Sequence, residues 1–374
     1  MIYLDHSATT PLDDEVLEAM LPYFKSKFGN PSSSYKLGKE AKTAINNSRD
    51  IIAKVINAKP SEIIFTSGGT ESDNYAIKGI AYNSSRKGNH IITTKVEHNA
   101  ILNGCKALEK QGYEISYLDV DEFGMVHPEV VREAIKSNTI LVSVIHANNE
   151  VGTINPIREI GLLTKEKGIY FHVDAVQSFG KLILDVEDSN IDLLSISSHK
   201  IYGPKGTGAL YIRKGTKIQP LLDGGTHENS FRAGTENVPG IIGLGKATDI
   251  AYKNIEVDMS KISAIRDYFW NAIKAKFNNV VLNGHPESRL FNNLNISFLG
   301  FDSDFLLLQL DQKNIAASSG SACSAGSLEY SHVLRAMRLE DKRIKSAIRF
   351  SLGKSNTKKE IDVVIKTLDL IMKQ

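Results

Sequence analysis

Lys200 stands just past an apolar run, Leu193-Leu194-Ser195-Ile196, and is reached through Ser197-Ser198-His199. A turn bearing glycines, Ile201-Tyr202-Gly203-Pro204-Lys205-Gly206, follows it. An amine so placed can condense with an aldehyde, and glycine lets the backbone approach a bound group closely. Alternation along the run sets Ser197 and His199 on one side, where both can donate to an anion. Other apolar runs also end in polar residues. Tyr170-Phe171-His172-Val173 ends in Asp174, with Gln177 three residues on. Ile63-Ile64-Phe65-Thr66 leads into Ser67-Gly68-Gly69-Thr70-Glu71-Ser72, a glycine turn that opens a helical stretch. Free N–H groups and the helix dipole at such a start favour an anion. Glu97-His98-Asn99 follows a run ending near Thr94, and His146-Ala147-Asn148-Asn149-Glu150 closes the run from Ile140 to Ile145.

These residue types match the demands of pyridoxal 5′-phosphate (PLP) chemistry. That chemistry uses a lysine for a Schiff base, an acid to keep the pyridine nitrogen protonated, a phosphate cradle and a flat group against the ring. Lys200 supplies the amine and Asp174 the acid, while Gln177 can reach the ring hydroxyl. Gly69, Thr70, Ser197 and His199 suit the phosphate. His98 can stack on the ring and shuttle protons, and Asn149 can touch the ring hydroxyl or a substrate carboxylate. Each residue also has a plainer reading. Asp174 can cap a helix beginning near Ala175, a glycine turn can simply start a helix, and His98 can be a helix-start residue. A surface lysine beside a loop does not explain the string Ser-x-His-Lys-x-x-Gly-Pro-x-Gly. The glycine turn is not a nucleotide P-loop, since no Gly-Lys-Ser/Thr follows it at the required spacing.

The elements that must position these groups are short apolar runs, among them Ile91-Ile92-Thr93 and Ile115-Ser116-Tyr117-Leu118, alternating with amphipathic stretches at 100–111, 128–136 and 157–167. This alternation predicts βαβ units and an α/β fold with a mostly parallel sheet flanked by helices. Such sheets bind ligands beyond the carboxyl ends of their strands. From about Asn237 to Phe277 the pattern is long and helical. Shorter strands and helices follow at 293–298, 304–310, 348–352 and 358–372. The expected division is a large domain over 15–250 and a smaller α+β domain over 251–374, with residues 1–14 packed against the latter. A chain of 374 residues accommodates two such cores.

The formal net charge of +2 gives no electrostatic reason to expect nucleic-acid or membrane binding. Met1-Ile2-Tyr3-Leu4-Asp5 has no basic region followed by an apolar core, so no signal peptide is expected. The two cysteines, Cys105 and Cys323, make no disulfide framework, and a reducing, cytoplasmic setting is expected. Cys105 lies at helical spacing with Ile101 and Leu108 and reads as a small buried hydrophobe. Cys323 lies in Ser318-Ser319-Gly320-Ser321-Ala322-Cys323-Ser324-Ala325-Gly326-Ser327, a stretch with no large side chain to anchor it. The sequence thus predicts a loop that can bring a thiolate to a substrate and carry it away. No Cys/His pair has metal-ligand spacing, so no resident metal is expected.

The chain resembles the cysteine desulfurases of the NifS/IscS type, fold-type I PLP enzymes of the class-V aminotransferase group. The resemblance runs nearly end to end. It includes Tyr3 to Thr10, Phe28-Gly29-Asn30-Pro31-Ser32-Ser33, Thr66 to Ser72, Val96-Glu97-His98, Asn148 to Gly152, His172 to Gln177, Ser197 to Lys200, Arg232-Ala233-Gly234-Thr235, Ser318 to Cys323 and Ile348 to Gly353. It implies Lys200 as the Schiff-base lysine, Asp174 as the pyridinium partner, Gln177 and His98 as ring contacts, and Gly69, Thr70, Ser197 and His199 as the phosphate cradle. It further implies a homodimer in which Thr235 reaches the phosphate of the other subunit, and Arg349 with Asn149 as the clamp for the carboxylate of L-cysteine. Cys323 is implied as the persulfide cysteine, and transient ligation of an iron–sulfur cluster is open to it. The implied partner is a sulfur-acceptor protein, such as an iron–sulfur scaffold or a tRNA-thiolation relay. In one respect the sequence departs from the pattern: Lys373-Gln374 follows soon after the last helix, whereas members serving the general scaffold often carry a longer tail. Rival readings on the same scaffold are a selenocysteine lyase and a small-amino-acid aminotransferase. A protein that holds PLP for structure alone fits less well with Lys200, Asp174 and Cys323 all in place. The basic stretch from Arg335 to Lys345 reads as a solvated helix face, with an acidic acceptor as its alternative occupant.

Overall fold

The computed structural model describes residues 1–83, 88–319 and 330–373. The first part of the chain runs β1 (Ile2–Tyr3), α1 (Asp14–Lys25), α2 (Lys36–Val55), β2 (Ile63–Thr66), α3 (Gly69–Ala81), β3 (His90–Thr94), α4 (Asn99–Glu109), β4 (Glu114–Leu118), α5 (Pro128–Ala134), β5 (Thr139–Ile145), α6 (Ile157–Lys167), β6 (Tyr170–Asp174), β7 (Leu193–Ser197), β8 (Gly208–Ile212) and α7 (Val238–Lys253). The remainder is α8 (Ile255–Lys276), β9 (Val280–Asn283), β10 (Asn293–Phe298), α9 (Ser303–Gln312), β11 (Ile315–Ala316), α10 (His332–Ala336), α11 (Asp341–Ile344), β12 (Ala347–Ser351) and α12 (Lys358–Ile371).

Local chemistry sets the ends of these elements. Asp13 caps α1 by accepting from the Glu15 N–H at 3.0 Å. Gly168 ends α6 in the left-handed region at φ 65°. Thr357 and Glu360 form a capping box at the start of α12.

Seven strands form one sheet in the order β2-β8-β7-β6-β5-β3-β4. The pairs from β7 through β6, β5 and β3 to β4 are parallel, and β8 runs antiparallel to both β2 and β7. Alternate residues feed opposite faces, as the period of two requires. Ile64, Ile91, Leu193 and Leu210 join a core under α3 and α4, while Phe65, Ile92, Leu194 and Tyr211 join a core under α1, α2, α6 and α7. The mostly parallel sheet expected from the sequence is present, and all six apolar runs named there are strands. β8 was not anticipated, because its residues follow directly on the glycine-bearing turn after Lys200. Residues 198–207 hold no crossover helix, so the chain can return only antiparallel.

A second apolar cluster gathers Leu4 with Ile262, Phe269, Leu294, Leu306, Phe350 and Leu368. It packs about a three-stranded antiparallel sheet, β12-β10-β9, and β1 pairs in parallel with β11. The long helical pattern expected over 237–277 divides into α7 and α8, with Asn254 between them at φ −109° and ψ 6°.

One buried ion pair ties a loop to the sheet. Arg49 in α2 donates through Nη1 and Nη2 to both carboxylate oxygens of Glu228, at 2.9 and 2.6 Å, and also to the Ile63 carbonyl. Glu228 accepts in turn from the Phe65 N–H at 2.8 Å. Glu228, Asn229 and Ser230 all lie at positive φ, 46°, 55° and 68°. This conformation costs energy in residues other than glycine, and the anchored carboxylate holds it in place. Arg49→Ala leaves that carboxylate buried without its cation, and is expected to lower unfolding stability by about 3–5 kcal/mol, measured as a lower midpoint in urea denaturation.

Candidate active site

The strand ends and the helix starts that follow them meet at one cavity of about 380 Å³. Its walls include Gly69, Thr70, His98, Asn149, Asp174, Gln177, Ser197, His199, Lys200 and Arg349. Of the site residues picked out in the sequence, Thr235 lies elsewhere, exposed on the segment between Phe231 and α7. Cys323 falls outside the described residues.

Lys200 ends a single 3-10 turn after β7, and its Nζ donates to the carbonyls of Ser7 and Ala8 at 2.6 and 2.7 Å. The Gln177 Nε2 donates to the same Ser7 carbonyl at 2.8 Å, and its buried Oε1 has no hydrogen-bond partner among the described residues. Asp174 ends β6 and accepts from the Val176 N–H at 2.9 Å. It does serve as a local cap, although residues 176–181 form turns and not the helix of that plainer reading. Burial raises the Asp174 carboxyl above the usual carboxylate range, against the opposing pull of His98 and Lys200.

The anion cradle expected from the sequence would depend on missing side chains. Gly68 sits at φ 147°, a conformation that glycine adopts without strain. A Cβ on Gly69 would lie 2.7 Å from Val176 Cγ2. A Cβ on Gly208 would lie 2.5 Å from the Ile196 carbonyl oxygen and 2.7 Å from Gly68 Cα. The turn at the start of α3 can therefore lie close to Ser197 and His199. His199 Nδ1 pairs with Thr9 Oγ1 at 3.1 Å. Burial and then the neighbouring Lys200 push its imidazole down to about 4, so it stays neutral and can donate one N–H.

Arg349, in β12, is 2% exposed. Its Nη1 donates to the Asn149 carbonyl at 2.9 Å and its Nη2 to Asp5 Oδ1 at 2.7 Å. Its backbone pairs with Ser318, the last stretch before residues 320–329. After those residues, Ser331 Oγ donates to Glu150 Oε2, and His332 Nε2 contacts the Glu97 carbonyl at 2.9 Å. His98 caps α4, its Nδ1 accepting from the Ala100 N–H at 3.2 Å, which leaves Nε2 as the ring nitrogen that carries a proton.

The residues present fit PLP. A buried carboxylate would suit a pyridinium, a buried amide oxygen with no partner among the described residues a ring hydroxyl, and a glycine-opened helix start a phosphate. The geometry also adds Ser7, Ala8 and Asp73, which sequence reasoning did not single out. Ser7 and Ala8 act through backbone carbonyls, which carry no residue signature. Asp73 lies mid-helix, where an acidic residue reads as ordinary surface.

The model of the family described as aminotransferase class-V matches residues 2–364. The chain belongs to that family. Its relatives include a cysteine desulfurase IscS from Dictyoglomus turgidum, 52% identical over 373 residues and covering 100% of this chain and 95% of that protein. A solved NifS-like protein matches with a TM-score of 0.94 and 37% identity, covering 100% of this chain and 99% of the other. A structure described as SspA in complex with cysteine matches with a TM-score of 0.85 and 38% identity, covering 96% of this chain and all of that one. Within the class-V aminotransferases the chain thus falls among the cysteine desulfurases, whose fold is the fold-type I scaffold and whose cofactor is PLP.

Two other expectations meet the structure here. Cys105 is fully buried in α4, and burial pushes its thiol up to about 12. The basic stretch from Arg335 is largely compensated. Arg343 donates to Asn283 and to the Leu282 carbonyl, Lys342 pairs with Glu340, and Arg338 pairs with Asp119.

Glu97 gives a pH test. It is fully buried and accepts from Thr94 Oγ1 at 2.7 Å and from the Ile145 N–H at 3.0 Å. Burial raises its carboxyl to about 8, against an ordinary value of 4.5. The folded protein therefore binds a proton there that the unfolded chain has released, and this contribution to stability is lost as pH rises from 4.5 to 8. Glu97→Gln keeps both acceptor bonds and cannot ionise. The difference in melting temperature between the variant and the wild type is expected to grow in the variant's favour across that range, as measured by calorimetry.

Proposed function

We propose that this protein takes sulfur from L-cysteine at the cavity, releasing L-alanine and leaving a persulfide on Cys323. The observation that carries the reading is the convergence of Lys200, Asp174, the Gly69–Thr70 helix start with Ser197 and His199, and Arg349 on a single cavity. PLP bound there supplies an electron sink for charge developing at the substrate α-carbon. The protein's own residues do the rest. Arg349, beside Asn149, binds the substrate carboxylate, a task suited to a planar guanidinium. The Lys200 amine, oriented by the Ser7 and Ala8 carbonyls, takes the α-proton. His98 holds a transferable proton on Nε2.

The Cys323 thiolate attacks the sulfur of the bound cysteine. A sulfur–sulfur bond forms and the carbon–sulfur bond breaks. Its electron pair stays with carbon, which gains a proton and leaves as the methyl group of alanine. Sulfur is oxidised by the two electrons that reduce carbon, so no external oxidant is consumed. Ser318 beside Arg349 and Ser331 beside Glu150 place both approaches to the Cys323 segment next to the cavity, which supports this role.

The same reading makes the protein a homodimer in which Thr235 completes the phosphate cradle of the other subunit. Arg232 joins Glu71 of α3 at 2.9 Å, which sets the segment carrying Thr235 close to that helix. The persulfide then passes to an acceptor protein, such as an iron–sulfur scaffold or a tRNA-thiolation relay. Among the described residues no helix is long and apolar enough to cross a membrane.

Lys200→Ala is expected to yield no borohydride-fixed PLP and to slow alanine formation by roughly 10²–10⁴-fold, the scale of a lost general base. Cys323→Ala is expected to keep the PLP absorption band while alanine release from cysteine, assayed without any oxo acid, falls to background. Alanine formation at the wild-type rate in Cys323→Ala would remove that residue from the mechanism.

A further inference from the structure

Three carboxyl side chains are buried around one wall of the cavity: Asp73 at 1% exposure, Asp174 at 2% and Glu97 at 0%. Asp73 and Asp174 both line the cavity itself. Carboxylates crowded into one desolvated site cannot all carry charge. Their surroundings distinguish them. Asp174 accepts a backbone N–H and lies near His98 and Lys200, which favour its charged form.

Asp73 has one hydroxyl, that of Ser195, to favour its charged form, and no cation among the described residues. The single basic group within ion-pair distance among the described residues is His172, whose Nε2 lies 3.7 Å from Asp73 Oδ1. That imidazole is already bonded on both nitrogens, to Ser143 Oγ at 2.8 Å and to Ser195 Oγ at 3.0 Å. Burial pushes it down to about 3, so it is neutral. Asp73 Oδ1 itself has no hydrogen-bond partner among the described residues. The titratable groups facing Asp73 are therefore His172 and Asp174 from β6 and Glu97 from the turn before α4. None of them is a cation. An ionised Asp73 would be a buried, unpaired charge beside a second carboxylate, a costly arrangement.

We propose that Asp73 is a neutral carboxylic acid of the cofactor pocket, a positioning residue that leaves Asp174 as the one ionised carboxylate at the cavity wall. The inference rests on the reading that the cavity holds PLP. Its consequence is specific: the full charge of Asp174 is available to a pyridinium, undivided by a neighbouring anion. Burial, then Asp174 and Glu97, raises the Asp73 carboxyl well above the usual range against the pull of the Ser195 hydroxyl, in keeping with the geometry.

Asp73→Asn replaces a neutral acid by a neutral amide of the same shape, and so separates the two protonation states. In the holoenzyme at neutral pH, infrared difference spectra of wild type against Asp73→Asn are expected to show a carboxylic-acid C=O band, sensitive to deuterium exchange, that the variant lacks. Asp73→Asn is expected to keep PLP affinity within about threefold and to leave the pH midpoint of the PLP absorbance unchanged, whereas Asp73→Ala is expected to weaken PLP by about tenfold or more, the scale of one lost buried polar partner. Absence of the acid band, or a shifted midpoint in Asp73→Asn, would overturn the neutral assignment. Wild-type affinity in Asp73→Ala would overturn the positioning role. A wild type that binds no PLP would instead sink the cofactor reading, while the infrared band would still decide the state of Asp73.

Discussion

The site depends on a close approach of backbones at Gly208. This residue opens β8 and is paired on one side with Thr66 of β2 and on the other with Ser197 of β7. Having no side chain, it lets Gly68 and the start of α3 settle against the end of β7. Two segments that each offer groups suited to an anion thereby come to line one cavity. The antiparallel return of β8, forced by a short connection, makes that juxtaposition possible.

Desolvation governs the chemistry around the cradle. His146 and His199 are both pushed down to about 4, first by burial, and His172 to about 3, so none carries charge at neutral pH. Lys181, behind Lys200, is lowered to about 7 by burial and then by Lys200 itself. In so dry a setting a charge persists where a partner or a backbone donor holds it. Asp174 and Arg349 meet that condition, and both line the cavity. Low dielectric strengthens the interactions that remain.

The N-terminal strip couples the two apolar cores to the site. Leu4 lies in the second core, and Asp5 pairs with Arg349. Two residues on, the Ser7 carbonyl holds Lys200 and Gln177 together. The cavity-lining arginine of the second sheet and the lysine of the first are thus registered by a few residues of extended chain. Arg49 and Glu228 do the equivalent on the other side, fixing a loop in an otherwise unfavourable conformation.

The sequence by itself determined the alternation of strands and helices and the polar endings of the strands. Period-two patterning and glycine placement are local properties, and they survive without any knowledge of neighbours. Lys200, Asp174, Gln177, His98 and the Gly69–Thr70 turn were legible for that reason. What tertiary structure decided was company. The antiparallel β8, the carbonyls of Ser7 and Ala8 at Lys200, and the surroundings of Asp73, which hold no cation among the described residues, depend on segments far apart in the chain. A residue's charge state depends on how much water and which partners the fold leaves it, and no spacing rule encodes that.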